Sequence, residues 1–339
     1  MVSIKDIAEK CEVSSATVSK ALKGHSDIGA AARAMVIRVA GEMGYMPNMA
    51  ARALKTNRTY SLGVLFVDET MSGLTHEYFA PVLESFKVAA EAEGYSITFI
   101  NRNVGKRKTS YLEHCRYRGV DGVMIASVNF ADPDVIELVN SELPVVVIDH
   151  VFNNKSAIIS DNITGMRDLV NYVCDMGHTR LAFIHGERTS VTEARVASFY
   201  HTCEQRGIEV PEEYVRTGVY HDTTCTARLA RELLALKNRP TCIFFPDDFS
   251  AIGGMNAIHE MGLTIPGDIS VVGYDGIRIS HVLQPPLTTL CQNTETLGIS
   301  AAHKLIGYIE QPKTTLPTNV VVPGTLQKGA SVLDLRTPK

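Results

Sequence analysis

The spacing of apolar positions divides this chain into two stretches with different patterns. Over the first fifty residues the pattern is helical and short. Ile4, Ile7, Ala8 and Cys11 recur at i, i+3, i+4 and i+7 behind Ser3, a candidate N-cap. A break at Glu12-Val13-Ser14 leads into a second short helix, Ser15 to Leu22, capped by Ser14 and apolar along Val18, Ala21 and Leu22. Gly24 stops it. A third helix is predicted from Ala30 to Met43, with Met35, Val36, Val39 and Met43 on one face, and Gly44-Tyr45-Met46-Pro47 ends it. Two short helices joined by a tight turn, with a third behind them, read as a helix-turn-helix and its supporting helix. Residues 48–55 form helix well but hold one leucine and little else to bury. A helix that short is marginal in water, so it is expected to order only when something holds it.

From Tyr60 onward, buried strands alternate with amphipathic helices. Strands are predicted at 62–67, 96–101, 122–127, 145–149, 180–185, 214–219, 241–245 and 269–274. Helices are predicted at 78–93, 109–118, 134–140, 162–176, 192–206, 223–237 and 249–261. Such alternation makes a parallel sheet with helices on both faces. The units are too many for one comfortable sheet, so two doubly wound subdomains with a cleft between them are expected. Ligands in such folds bind outside the carboxyl ends of the strands.

Composition narrows the class. The chain has 339 residues, 45% of them hydrophobic and 21% charged, which excludes disorder and allows a sizeable core. No run of 18 apolar residues appears, and the start, Met1-Val2-Ser3-Ile4-Lys5-Asp6, has no apolar signal segment. The seven scattered cysteines then read as reduced thiols, and the expected location is the cytoplasm. The net charge of −4 hides an asymmetry: residues 1–58 carry nine Lys/Arg against five Asp/Glu, or +4, and the remainder is −8. A basic head on an acidic body points to nucleic acid or membrane. No phosphate-binding glycine motif, nucleophile elbow or H-E-x-x-H motif is present, and the eleven histidines lack metal-ligand spacing, so no enzyme, cofactor or metal site is expected.

Ordered motifs run through the whole chain. Ile4-Lys5-Asp6-Ile7-Ala8, Val13 to Leu22, Gly44-Tyr45-Met46-Pro47-Asn48 and Ala51-Arg52-Ala53-Leu54 are followed by Ile269-Ser270-Val271-Val272-Gly273-Tyr274-Asp275 and Pro286-Leu287-Thr288-Thr289-Leu290. Together they resemble the LacI/GalR family of bacterial transcription regulators. The resemblance implies a helix-turn-helix domain (1–46), a hinge helix and linker (47–58) and an effector-binding and dimerisation domain (59–339). That last domain resembles the periplasmic sugar-binding fold. Its N-subdomain is expected over about 60–160 and 291–320, and its C-subdomain over about 161–290 and 321–331.

The resemblance also implies roles for residues. Ser15, Ala16 and Lys20 would contact bases, the short pair letting the helix sit deep in the major groove. Ser14, Thr17 and Ser19 would contact phosphates; the alternative for Ser14 and Thr17 is capping alone. Asn48, Ala51, Leu54 and Lys55 would belong to the hinge, with Leu54 and its dimer mate wedging into the minor groove of a pseudo-palindromic operator and Lys55 lying along that groove. Three departures from the family pattern stand out. Glu12 replaces a turn glycine, Lys20 replaces the commoner arginine, and Gly29 and Ala32 weaken the start of the third helix.

For the effector, the resemblance implies contacts at Tyr78, Phe79, Asp149, His150, Asp161, Arg195, Tyr220, Asp247, Asp248 and Asp275. With no tryptophan, Phe79, Tyr220 and Phe130 must supply any stacking face. The expected protein is a dimeric repressor whose operator affinity a sugar or sugar derivative controls. The alternatives are a corepressor- or protein-partner-dependent regulator of the same family, a non-regulatory sugar-binding protein, or an α/β enzyme. After Ser331 only eight residues remain, with no leucine heptads, so a dimer rather than a coiled-coil tetramer is expected.

Overall fold

The structure, a computed structural model, describes residues 2–46, 58–68 and 72–336. The chain falls into two compact units, Met1–Thr59 and Tyr60–Lys339.

The head holds three helices, Ile4–Lys10, Ser15–Leu22 and Ala30–Glu42. A capping box starts the first: the Ser3 hydroxyl accepts from the Asp6 amide, and the Asp6 carboxylate accepts from the Ser3 amide. Ser14 caps the second through the Thr17 amide at 3.0 Å. The third starts at Gly29 with no side-chain cap, as the substitution of small residues there predicts. Ile7, Ala8, Val18, Ala21, Val36, Val39 and Ala40 close a small core between the three. Glu12, in the turn, sits at φ 55°, the left-handed conformation that glycine adopts without steric cost.

The body is built on two six-stranded sheets. The first runs 319–322, 156–160, 145–148, 122–126, 61–66 and 96–99 from edge to edge, all parallel, with registers such as Leu62 opposite Gly122 and Val146 opposite Ser156. The second runs 325–327, 288–291, 270–275, 242–244, 181–185 and 215–217, parallel except for its edge strand, where Leu326 opposes Leu290 antiparallel. The chain passes between the sheets three times: through Asp161, through Gln292 and Asn293, and through Pro323 and Gly324.

Helices cover both faces of each sheet, which is why the strands are apolar on both sides; Val145–Ile148 is buried at every position. The helix Thr294–Glu310 returns to the first sheet and packs on Phe79–Ala92. Gly298 makes that crossing close: a Cβ there would lie 2.4 Å from the Val82 carbonyl oxygen.

The order of strands and helices from 61 to 275 follows the expected alternation, with ends moved by no more than three residues. Ser156–Ser160 is a buried strand that the periodicity did not reveal, because its five residues alternate weakly and follow a turn. A two-stranded ribbon at 103–104 and 107–108 is another addition.

Candidate functional site

In the head, the second helix presents an exposed face. Ser15, Ala16 and Lys20 face solvent, while Thr17 and Ser19 are half-buried. Ser14 is engaged as a cap, and its hydroxyl also lies 2.9 Å from the Thr17 hydroxyl. Lys20 forms an ion pair of 2.5 Å with Asp27, whose carboxyl this contact holds below its usual range. Asn48, Ala51, Leu54 and Lys55 lie outside the described residues.

In the body, a cavity of about 310 Å³ opens between the two sheets at the carboxyl ends of their strands. The first sheet's side contributes Val67, Tyr78, Phe79, Ser127, Phe130 and Asp149; the second contributes Glu187, Thr189, Ser190, Arg195, Tyr220, His221 and Asp275; Gln292 comes from a crossover. Strand ends and helix starts recur because a parallel strand releases its last side chain where the next loop turns away. Four of these positions, Ser127, Asp149, His221 and Asp275, hold positive φ at 50°, 56°, 57° and 104° without being glycine. Left-handed backbone in side-chain-bearing residues persists where surrounding structure holds it, and such positions gather at ligand sites.

The polar groups of the cavity form two sets. Arg195 is buried, donating from Nε to Asn162 Oδ1 at 2.8 Å and from a terminal nitrogen to the Pro246 carbonyl at 3.0 Å. Its guanidinium lies 3.5 Å from the centre of the Tyr274 ring and 3.9 Å from Asp275 Oδ1. Gln292 donates to the same carboxylate at 2.6 Å. Burial pushes the Asp275 carboxyl up to about 7, with Arg195 working against the rise. Gln292 lines the cavity, and its Oε1 is buried with no hydrogen-bond partner among the described residues.

On the opposite side, Tyr78 donates to Asp149 Oδ2 at 2.8 Å, and the Ser160 amide donates to Asp149 Oδ1 at 2.8 Å. Burial again raises the carboxyl, and these hydrogen bonds oppose it. Ser190 reaches from the second half to the Asp149 carbonyl at 3.2 Å, so the two halves already touch across the cleft. The Tyr220 hydroxyl is 2.9 Å from that of Thr192, and its amide donates to Glu187 at 3.0 Å.

Of the eleven residues expected around the effector, Tyr78, Phe79, Phe130, Asp149, Arg195, Tyr220 and Asp275 line the cavity, and four do not. His150 turns aside and stacks on Phe130, ring centres 4.2 Å apart and planes 7° apart. Asp161 caps the helix Asn162–Asp175 through the Thr164 amide. Asp247 caps Asp248–Glu260 and also accepts from the His221 amide at 3.1 Å. Asp248 is fully buried, accepting from the Ile277 amide at 3.0 Å and the Thr289 hydroxyl at 2.6 Å. Residues that the sequence reading missed include Ser127, Glu187, Ser190, His221 and Gln292. Gln292 follows a strand end in the same way as Asp149, and extending the strand pattern past residue 274 finds it.

A helix-turn-helix unit, followed by a two-sheet body with a polar cleft at its strand ends, is the build of a DNA-binding transcription regulator. The chain's matches agree. Residues 3–48 match the model of bacterial regulatory proteins of the lacI family, and residues 170–332 match a periplasmic binding protein-like domain. The probable HTH-type transcriptional repressor ExuR of Bacillus subtilis is 30% identical over 318 residues, 93% of each chain. The HTH-type transcriptional repressor PurR of Pasteurella multocida is 31% identical over 317 residues, 92% of this chain and 93% of that one. Among solved structures, the lac repressor dimer bound to operator and the anti-inducer ONPF aligns with a TM-score of 0.80 at 26% identity, covering 98% of this chain and 99% of that one. The chain belongs to the LacI family.

Proposed function

We propose that this regulator is a dimeric transcriptional repressor whose affinity for a pseudo-palindromic operator is set by a small, polyhydroxylated effector, a sugar or sugar derivative, held in the body's cleft. The observation that carries this reading is the cavity wall. It combines a buried arginine, two half-buried carboxylates and the Gln292 side-chain amide with the aromatic rings of Phe79, Phe130 and Tyr220. Carboxylates and amides fix hydroxyl groups, and rings pack on the C–H face of a sugar. The repressor role and the dimer are supported by the names of the relatives and by the lac repressor dimer on its operator.

Ligand contacts from both halves favour a closed cleft, and a ligand shifts a conformational equilibrium by its differential affinity for the two states. The hinge residues Asn48, Ala51, Leu54 and Lys55 are the proposed recipients of that shift. The test is operator binding by fluorescence anisotropy against a panel of sugars and purines. One neutral sugar is expected to change operator affinity about tenfold or more, roughly 1.4 kcal/mol. No change with any sugar, or a change with purines alone, overturns the reading. The sign of the change separates inducer from corepressor.

A further inference from the structure

We propose that His76, Glu77 and His221 form a binding site for a divalent transition-metal ion of the Zn²⁺ type, which ties the two halves of the body together at the edge of the cleft. His76 and Glu77 precede the helix Phe79–Ala92 of the first half, and His221 precedes Thr223–Leu234 of the second. Each offers one donor atom, and these atoms lie within 4.8 Å of one another. Around a tetrahedral ion with bonds near 2.0 Å, donors sit about 3.3 Å apart, so side-chain movements of about 1.5 Å bring the three donors to the ion and leave the fourth position for water.

The two imidazoles lie close together, with their planes tilted by 45°. The ring centres of His76 and His221 are 4.0 Å apart, and His221 stacks on Phe249 at 5.1 Å with planes 13° apart. The His221 backbone is kept at φ 57°, with its amide tied to Asp247. Glu77 Oε2 stands 3.9 Å from His221 Nδ1, too far for a direct hydrogen bond. Two nitrogens and one carboxylate suit Zn²⁺, Co²⁺ or Ni²⁺ rather than Mg²⁺ or Ca²⁺, which prefer all-oxygen shells. Sequence spacing does not show the set, because its members belong to different halves of the body.

The test uses the full chain freed of metal by a chelator and titrated with ZnCl₂ by calorimetry, beside CoCl₂ by visible absorption. One equivalent of Zn²⁺ per chain is expected, with Mg²⁺ unable to compete, and His221→Ala and Glu77→Gln are expected to weaken binding by about tenfold or more. Glu77 is exposed, so its substitution tests the site with the fold intact, as circular dichroism will show. The Co²⁺ form should show ligand-field bands without the near-ultraviolet thiolate band that cysteine ligation gives. Absence of stoichiometric binding, binding unchanged in both variants, or a thiolate band overturns the proposal.

Discussion

At the scale of single residues, burial decides how the charged groups behave. Asp275 is enclosed and its carboxyl rises from 3.8 to about 7. A carboxyl with a raised folded pKa stabilises the fold below its unfolded pKa, and that contribution is lost as pH climbs through the folded value. The ligand-free wild type is therefore expected to lose stability relative to Asp275→Asn between pH 3.8 and about 7, measured by denaturant unfolding across that range. A parallel pair of curves would refute the assignment. Glu12 illustrates a residue working against its backbone. Its φ of 55° predicts that Glu12→Gly stabilises the head by about 1 kcal/mol, read from amide hydrogen exchange of the first two helices. Lys20 differs again, because its pairing with Asp27 is exposed and exchangeable.

At the scale of elements, close packing sets what the chain tolerates. Thr294–Glu310 leaves the second sheet and docks on Phe79–Ala92, and Gly298 permits the approach. A side chain at 298 meets the Val82 carbonyl, the Phe86 amide and Ser85. Gly298→Val is expected to cost about 2–3 kcal/mol, measured by thermal unfolding, because backbone rather than a flexible side-chain tip stands in the way. The same logic holds at Gly273, where a Cβ would lie 2.1 Å from Asp248 Oδ1 and displace the hydrogen bonds that buried carboxylate makes. The helix and strand order was legible in the sequence because 3.6-residue and continuous apolar patterns are local properties. The roles of Asp161, Asp247 and Asp248 were not. An aspartate just past a strand has the same sequence context whether it points into a cleft or caps the following helix, and the path of the loop decides.

At the scale of the whole molecule, charge separates the tasks. The head carries +4 and the body −8, so operator binding is expected to fall steeply with salt, by a slope of about −0.9 in log K per log [salt] for each phosphate contact. A flat dependence in an anisotropy titration would contradict phosphate contacts by the head. Leu54→Ala is expected to lower operator affinity roughly tenfold, or about 1.4 kcal/mol, while calorimetric effector binding stays unchanged. Equal operator affinity would remove the hinge leucine from recognition.

The sequence by itself determined the helix-turn-helix, the alternating body and most of the aromatic and charged lining of the cleft. The elements follow from local periodicity, and the lining residues from the motifs that carry the family resemblance. Tertiary structure alone decided that Gln292 joins Asp275, that His76 and Glu77 meet His221, and that Asp161, Asp247 and Asp248 accept from the amides of neighbouring helices and loops. Those outcomes depend on where separate crossovers bring the two sheets together, and no local pattern of apolar and polar residues encodes that distance.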